Sequence, residues 1–179
     1  MLIVFTGNGK GKTTASLGQA VRTVGRGKCV LMIQFIKGPW KSGEDFIEIF
    51  KKASKPGEAS PFELRKRGLG FVGILGDKLP REDHEKAAKA ALEEFKVELA
   101  SKKWGLIILD EVNNAVALKL ISVGDVLEAI KDLAPEQFVL FTGRDAPKEF
   151  IDRADLVTEM REIKHPFNDG VLAKIAVEF

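Results

Sequence analysis

The chain has 179 residues, with 28 Lys and Arg against 26 Asp and Glu, a net charge of +2 and one cysteine. That length suits a single domain over residues 1–179 and is short for a second core. The balanced charge gives no general pull toward nucleic acid or an anionic membrane, and a lone cysteine excludes a disulfide within the chain.

In chain order, Leu2-Ile3-Val4-Phe5 is an apolar run ending in glycines, and Leu17, Val21 and Val24 then follow at helical spacing. The pattern predicts strand, tight loop and helix, closed by Gly25 and Gly27. Cys29 to Ile36 supplies a second strand whose unbroken apolar character suits burial on both sheet faces, with Cys29 as a buried structural thiol. A short helix is expected around Phe46–Ala53, and Ser54 to Pro61 reads as a mobile surface loop. Arg65-Lys66-Arg67 continues that exposed character. Gly70–Leu75, Leu106–Leu109 and Phe138–Phe141 are further strand candidates. The clearest helix runs from about Glu82 to Lys102, with Ala88, Leu92, Phe95 and Leu99 on one face; shorter ones fit Val123–Leu133 and Pro147–Ala154. Leu156–Ile163 and Val171–Val177 alternate well enough to form an edge hairpin around His165–Gly170. No apolar run exceeds five residues, and the N-terminus lacks a charged segment followed by a signal-type core, so a cytoplasmic protein is expected.

The chemistry concentrates where strands end. Thr6-Gly7-Asn8-Gly9-Lys10-Gly11-Lys12-Thr13-Thr14 joins the first strand to the first helix, the setting a Walker A loop requires if its amides are to face a phosphate. The glycines turn successive N–H groups into a concave nest, Lys12 adds a point charge, and the Thr13 hydroxyl can hold a metal. The loop is a variant, because Thr6 stands where the first glycine of the pattern belongs. Leu106-Ile107-Ile108-Leu109-Asp110-Glu111 resembles a Walker B strand, with Glu111 favoured as metal ligand, Asp110 beside it and Thr13 opposite. Together these predict an α/β, P-loop NTPase-like (RecA-like) fold: a mainly parallel sheet flanked by helices, binding a nucleoside triphosphate with a divalent metal. Gln34-Phe35-Ile36-Lys37-Gly38 and Thr142-Gly143-Arg144-Asp145 should emerge at the same sheet edge. Arg22 lies ten residues beyond Lys12, about 15 Å farther along the helix, and suits either another part of the ligand or a surface acid. His84 and His165 lack partners at zinc-ligand spacing and read as surface or loop histidines.

A triphosphate cradle does not name a reaction. The string Thr6–Ala15, with Gln34–Gly38, Leu109-Asp110-Glu111, Thr142-Gly143-Arg144 and Lys164-His165-Pro166-Phe167-Asn168-Asp169-Gly170-Val171, resembles the P-loop corrinoid adenosyltransferases in order and over nearly the whole chain. The resemblance implies transfer of the 5′-deoxyadenosyl group of ATP to Co(I) of a corrinoid, cobalamin, cobinamide or a precursor, with triphosphate leaving. It implies that Gly7, Asn8, Gly9, Lys10, Gly11, Lys12, Thr13, Thr14 and Arg22 bind ATP, that Lys12 and Arg22 serve catalysis, and that Thr13 and Glu111 hold Mg²⁺ or Mn²⁺. Phe71 is expected at the corrinoid, although Gly73 replaces the tryptophan of the family's Gly-Phe-x-Trp string, so that either Phe46 or Trp40 substitutes for it or the pocket is left looser. The family also implies a homodimer and an electron-donating flavoprotein partner. Some relatives carry an N-terminal helix over a partner's site, whereas this sequence starts at the first strand. A P-loop phosphotransferase or ATPase, releasing ADP, is the alternative enzyme; a nucleotide-dependent binding protein without turnover is the third reading.

Overall fold

The computed structural model describes residues 1–46, 60–74 and 76–177. Six parallel strands form one sheet in the order β3-β2-β4-β5-β1-β6. They are β1 (Leu2–Thr6), β2 (Val30–Gln34), β3 (Phe62–Lys66), β4 (Leu106–Asp110), β5 (Phe138–Thr142) and β6 (Leu156–Glu159). The helices are α1 (Lys12–Val24), α2 (Arg81–Ala100), α3 (Val112–Ala117), α4 (Val123–Ala129) and α5 (Lys148–Arg153).

The continuous apolar strands are explained by a sheet covered on both faces. Side-chain alternation along each strand divides the core in two. Leu2, Val4, Leu31, Ile33, Ile107, Leu109, Val139 and Phe141 share one cluster with Phe95 and Leu99 of α2 and Phe150 of α5. Ile3, Val30, Met32, Leu106, Ile108 and Leu140 pack on the other face with Ala20 of α1. Because all six strands run the same way, their carboxyl ends collect at one edge. The α/β parallel architecture expected from the sequence is therefore present, and α2 buries the four residues its periodicity marked.

Several local expectations need correction. Residues 70–74 form no strand: Gly70 and Gly73 have φ of 109° and 69°, incompatible with an extended run, and Leu75 lies outside the described residues. The strand is instead β3, formed partly by residues read as an exposed continuation of a loop. Its Phe62 and Leu64 face the Ala20 cluster, while Arg65 pairs with Glu63 and with Glu94 and Glu98 of α2. A charged edge strand can thus be covered by ion pairs, a pattern that apolar alternation does not reveal. The C-terminal hairpin is also absent. β6 joins β1 in parallel, Ile3 opposite Leu156, because that extends an existing ladder, and residues 171–177 contain no strand. Pro166–Asp169 is one turn of 3₁₀ helix, capped by Gly170 at φ 74°. α4 stops at Ala129, short of the expected Leu133. Of the helix expected at Phe46–Ala53, only Phe46 is described, ending a 3₁₀ turn that begins at Gly43; the remainder lies outside the described residues, as do residues 54–59 of the expected mobile loop. Cys29 is partly rather than fully buried, at the margin of the core.

Candidate functional site

The β1–α1 loop is positioned by the exit of β6. Met160 N donates to Thr6 O at 2.8 Å, and Gly9 N donates to Met160 O at 2.7 Å. A Cβ on Gly7 would lie 2.4 Å from Met160 O, and one on Gly9 2.7 Å from the Arg161 backbone, so both glycines are demanded by close approach. Gly11, at φ 110°, caps α1 without any side-chain hydrogen bond. The first amides of that helix consequently remain available to an anion, and the helix dipole favours one there.

Lys12 folds back over the loop, its Nζ donating to Gly7 O at 2.6 Å and Gly9 O at 2.7 Å. Burial, followed by the positive charge of Arg144, lowers its pKa from the ordinary lysine value. Thr13 Oγ1 donates to Asp110 Oδ1 at 2.9 Å, and Thr142 Oγ1 donates to the same oxygen at 2.7 Å. Gln34 Nε2 donates at 3.0 Å both to Asp110 Oδ2 and to Glu44 Oε1. Asp110, fully buried at the end of β4, is thus the hub that ties α1, β2 and β5 to the site.

The next residue, Glu111, takes φ 62° and receives no cap contact; its N–H donates to Thr142 Oγ1 at 2.9 Å. Burial first, and then the adjacent Asp110 charge, push its carboxyl up to about 7. An acid held near neutrality beside a buried carboxylate is a place where a cation would be welcome. Lys37 answers part of that charge by pairing with Glu44. Burial opposes ionisation of Glu44, but the hydrogen bonds from Lys37 and Gln34 outweigh it and hold the carboxyl at about 2.

These groups surround a cavity of about 410 Å³ lined by Asn8–Thr14, Lys37, Glu44, Glu111, Asn114, Thr142–Arg144 and His165. All the expected loop residues from Asn8 to Thr14, with Glu111, therefore meet at one place, while Gly7 shapes the loop behind them. Arg22 does not join them: it is exposed near the end of α1 and is not among the lining residues. Phe71 also stands apart, 47% exposed, with its ring centroid 6.1 Å from that of Trp40. His165, read as a loop histidine, accepts from Phe167 N through Nδ1 and also lines the cavity. His84 is not a surface residue: it is buried, with Nε2 3.1 Å from Asp77 Oδ2. Its place on the inner face of α2 decides this, since Asp77 supplies the polar partner that burial requires.

Sequence reasoning missed Glu44, Asn113, Asn114 and the Met160 support. Glu44 follows Lys37 by seven residues in a single 3₁₀ turn, too short for any periodicity to mark it. Asn113 donates to Gly143 O at 3.1 Å, and Asn114 Oδ1 accepts from Arg144 N at 3.0 Å. A polar pair in the first turn of α3, just past the two acids at the end of β4, was the available signal. A Cβ on Gly143 would come within 2.4 Å of Asn114 Oδ1, which fixes the approach of these two turns.

Among the described residues, no three or more His, Cys, Asp or Glu side chains form a metal cage. The donor set near Thr13 is instead a hydroxyl and one or two carboxylates, all hard oxygens. That suits an ion of the Mg²⁺ type, which takes few protein ligands and completes its shell with water and phosphate.

The family model described as ATP:corrinoid adenosyltransferase BtuR/CobO/CobP matches residues 1–179. The chain is similar to a corrinoid adenosyltransferase of Escherichia coli (strain K12), 36% identical over 183 residues that cover 100% of this chain and 85% of the relative. A corrinoid adenosyltransferase, CobA, of Salmonella typhimurium is also 36% identical, with the same coverages. The corrinoid adenosyltransferase of Pseudomonas aeruginosa is 37% identical over 180 residues, covering 100% of this chain and 83% of its own.

Proposed function

Because the chain belongs to the ATP:corrinoid adenosyltransferase family, we propose that it transfers the 5′-deoxyadenosyl group of ATP to Co(I) of a corrinoid, releasing triphosphate, in cobalamin biosynthesis or salvage. The observation that carries this reading is the uncapped start of α1, with Lys12 and Thr13, opening on a cavity that Glu111 also lines, while the buried Asp110 accepts from Thr13. The helix start and Lys12 suit negative charge arriving on a leaving polyphosphate, and the acids suit the cation that accompanies it.

In the reaction, the Co(I) electron pair attacks carbon 5′, the carbon–oxygen bond to the α-phosphate breaks, and its electrons depart on triphosphate. Cobalt is oxidised formally to Co(III) as the cobalt–carbon bond forms. No proton needs to be removed, so the protein's task is orientation and charge stabilisation. The amides from Asn8 to Thr14 and the Lys12 ammonium would hold the triphosphate. Thr13, with Asp110 and Glu111, would hold Mg²⁺ or Mn²⁺, which when bound neutralises part of the phosphate charge. Phe71 would border the corrinoid, and Trp40 beside it supplies a second aromatic where the family's tryptophan is replaced by Gly73. Arg22 is kept as an ATP ligand on family resemblance alone. A single domain, a cytoplasmic homodimer and a flavoprotein electron donor complete the reading.

The test is to mix the protein with ATP, Mg²⁺ and chemically reduced cobalamin or cobinamide. A light-sensitive cobalt–carbon product in the visible spectrum, with inorganic triphosphate in equal amount, is expected. ADP as the nucleotide product, or no alkylcobalt species with either corrinoid, would sink the assignment.

A further inference from the structure

Lys37 leaves the carboxyl end of β2 and does two things at once. Its ammonium pairs with Glu44 and lies 3.9 Å from Asp110 Oδ2, yet the same side chain lines the cavity. Asp110 is also the carboxylate that receives the Thr13 hydroxyl, through its other oxygen. A divalent ion beside Thr13 would therefore draw on negative charge that Lys37 already neutralises. Two cations so close within a partly desolvated wall repel strongly.

Gln34 keeps the acidic groups together whether or not the lysine is present. Its buried amide bridges Asp110 and Glu44, and its Oε1 is left without a hydrogen-bond partner. The acids are thus preorganised by a neutral residue, and the lysine is an occupant that can leave. An incoming polyphosphate offers Lys37 a competing set of anionic oxygens within the cavity it already lines.

Resting on the reading of a metal beside Thr13 and Asp110, we propose that Lys37 is the resident counter-ion of the nucleotide-free site. Its ammonium neutralises Asp110 and Glu44, and a divalent cation takes over that charge only when polyphosphate draws the ammonium away. Lys37 is then a positioning residue: it makes metal and nucleotide bind together and keeps metal from binding alone. By linkage, the factor by which ATP tightens metal binding equals the factor by which metal tightens ATP binding.

Mn²⁺ binding is to be measured calorimetrically on the full chain, with and without saturating ATP. Lys37→Gln should tighten Mn²⁺ binding to nucleotide-free protein by about tenfold and shrink the ATP-linked factor by about the same amount. Lys37→Arg, which keeps the charge, should behave as the unaltered protein. Glu44→Gln, which removes a carboxylate and leaves the lysine, should shift nucleotide-free Mn²⁺ binding in the opposite direction from Lys37→Gln. Unchanged or weaker Mn²⁺ binding in a folded Lys37→Gln overturns the proposal. Should that variant lose its thermal transition, Glu44→Gln decides the matter, equal or tighter binding than the unaltered protein being the overturning result. Absence of Mn²⁺ binding even with ATP, in every variant, would remove the metal reading itself as well as the exchange.

Discussion

At the scale of single residues, the loop rests on positions that tolerate no added carbon. Gly9→Ala would force a methyl to 2.7 Å from the Arg161 backbone, where nothing flexible can yield. We expect a loss of about 1–3 kcal/mol in stability, of the size seen for overpacking, together with weakened ATP binding; urea unfolding and a nucleotide titration measure both. Lys12→Ala removes the charge proposed to meet phosphate and also two contacts to loop carbonyls. A fall of about 10²-fold or more in kcat/KM is expected, as for loss of a donor that meets developing charge. Full retention of rate would show that Lys12 is a loop staple only.

Glu111 carries a pH signature. Its ordinary value is 4.5 and its folded value about 7, so the native state binds the proton more tightly than the unfolded chain does. The stabilising contribution is therefore complete below 4.5 and is lost as pH rises toward about 7. Glu44 runs the other way: its contribution is present above 4.5 and is lost as pH falls toward about 2. In thermal melts without metal across the upper window, Glu111→Gln should lose the decline with rising pH that the unaltered protein shows. A parallel slope in both proteins would contradict the assigned environment of this carboxyl.

At the scale of elements, two junctions hold the site in place: the exit of β6 beneath the β1–α1 loop, and the convergence of β2, β4 and β5 on Asp110. The first rests on the Met160 N–H, which donates to Thr6 O, and the Met160 carbonyl, which accepts from Gly9 N. Met160→Pro deletes that donor while leaving the acceptor. ATP affinity should fall more than far-ultraviolet dichroism changes, because an edge strand can fray while the central sheet persists. Equal ATP affinity in this variant would mean that β6 does not support the loop. β3 shows the opposite balance of visibility and importance. Its Arg65, paired with three glutamates, was hidden by charge in the sequence, though the strand it occupies completes one side of the sheet.

At the scale of the whole molecule, all six strands share one sheet, and ligand binding should stabilise the fold as a unit. Mg²⁺ and ATP at about 100 times Kd should add about 2.7 kcal/mol, and raise Tm by roughly 5–11 °C for a chain of this size. Differential scanning calorimetry checks this, and ATP without metal should produce a smaller rise. No shift with both ligands present would exclude a nucleotide site in this cavity.

The spacing of glycines, Lys12 and Thr13 between an apolar strand and a helical pattern marked the strand, loop and helix start from sequence alone. That pattern is local: consecutive residues and one helix start define the loop. The acids at the end of β4 and the parallel sheet were legible for a similar reason, since burial on both faces writes itself as uninterrupted apolar runs. Tertiary structure alone decided that Asp110, rather than its neighbour, receives Thr13, that Glu44 and Lys37 answer that charge, and that Met160 seats the loop. It also placed Arg22 away from the cavity and set Trp40 beside Phe71. Those relations join residues far apart in the chain through strand register and turn geometry, and a one-dimensional pattern contains no term for the distance between them.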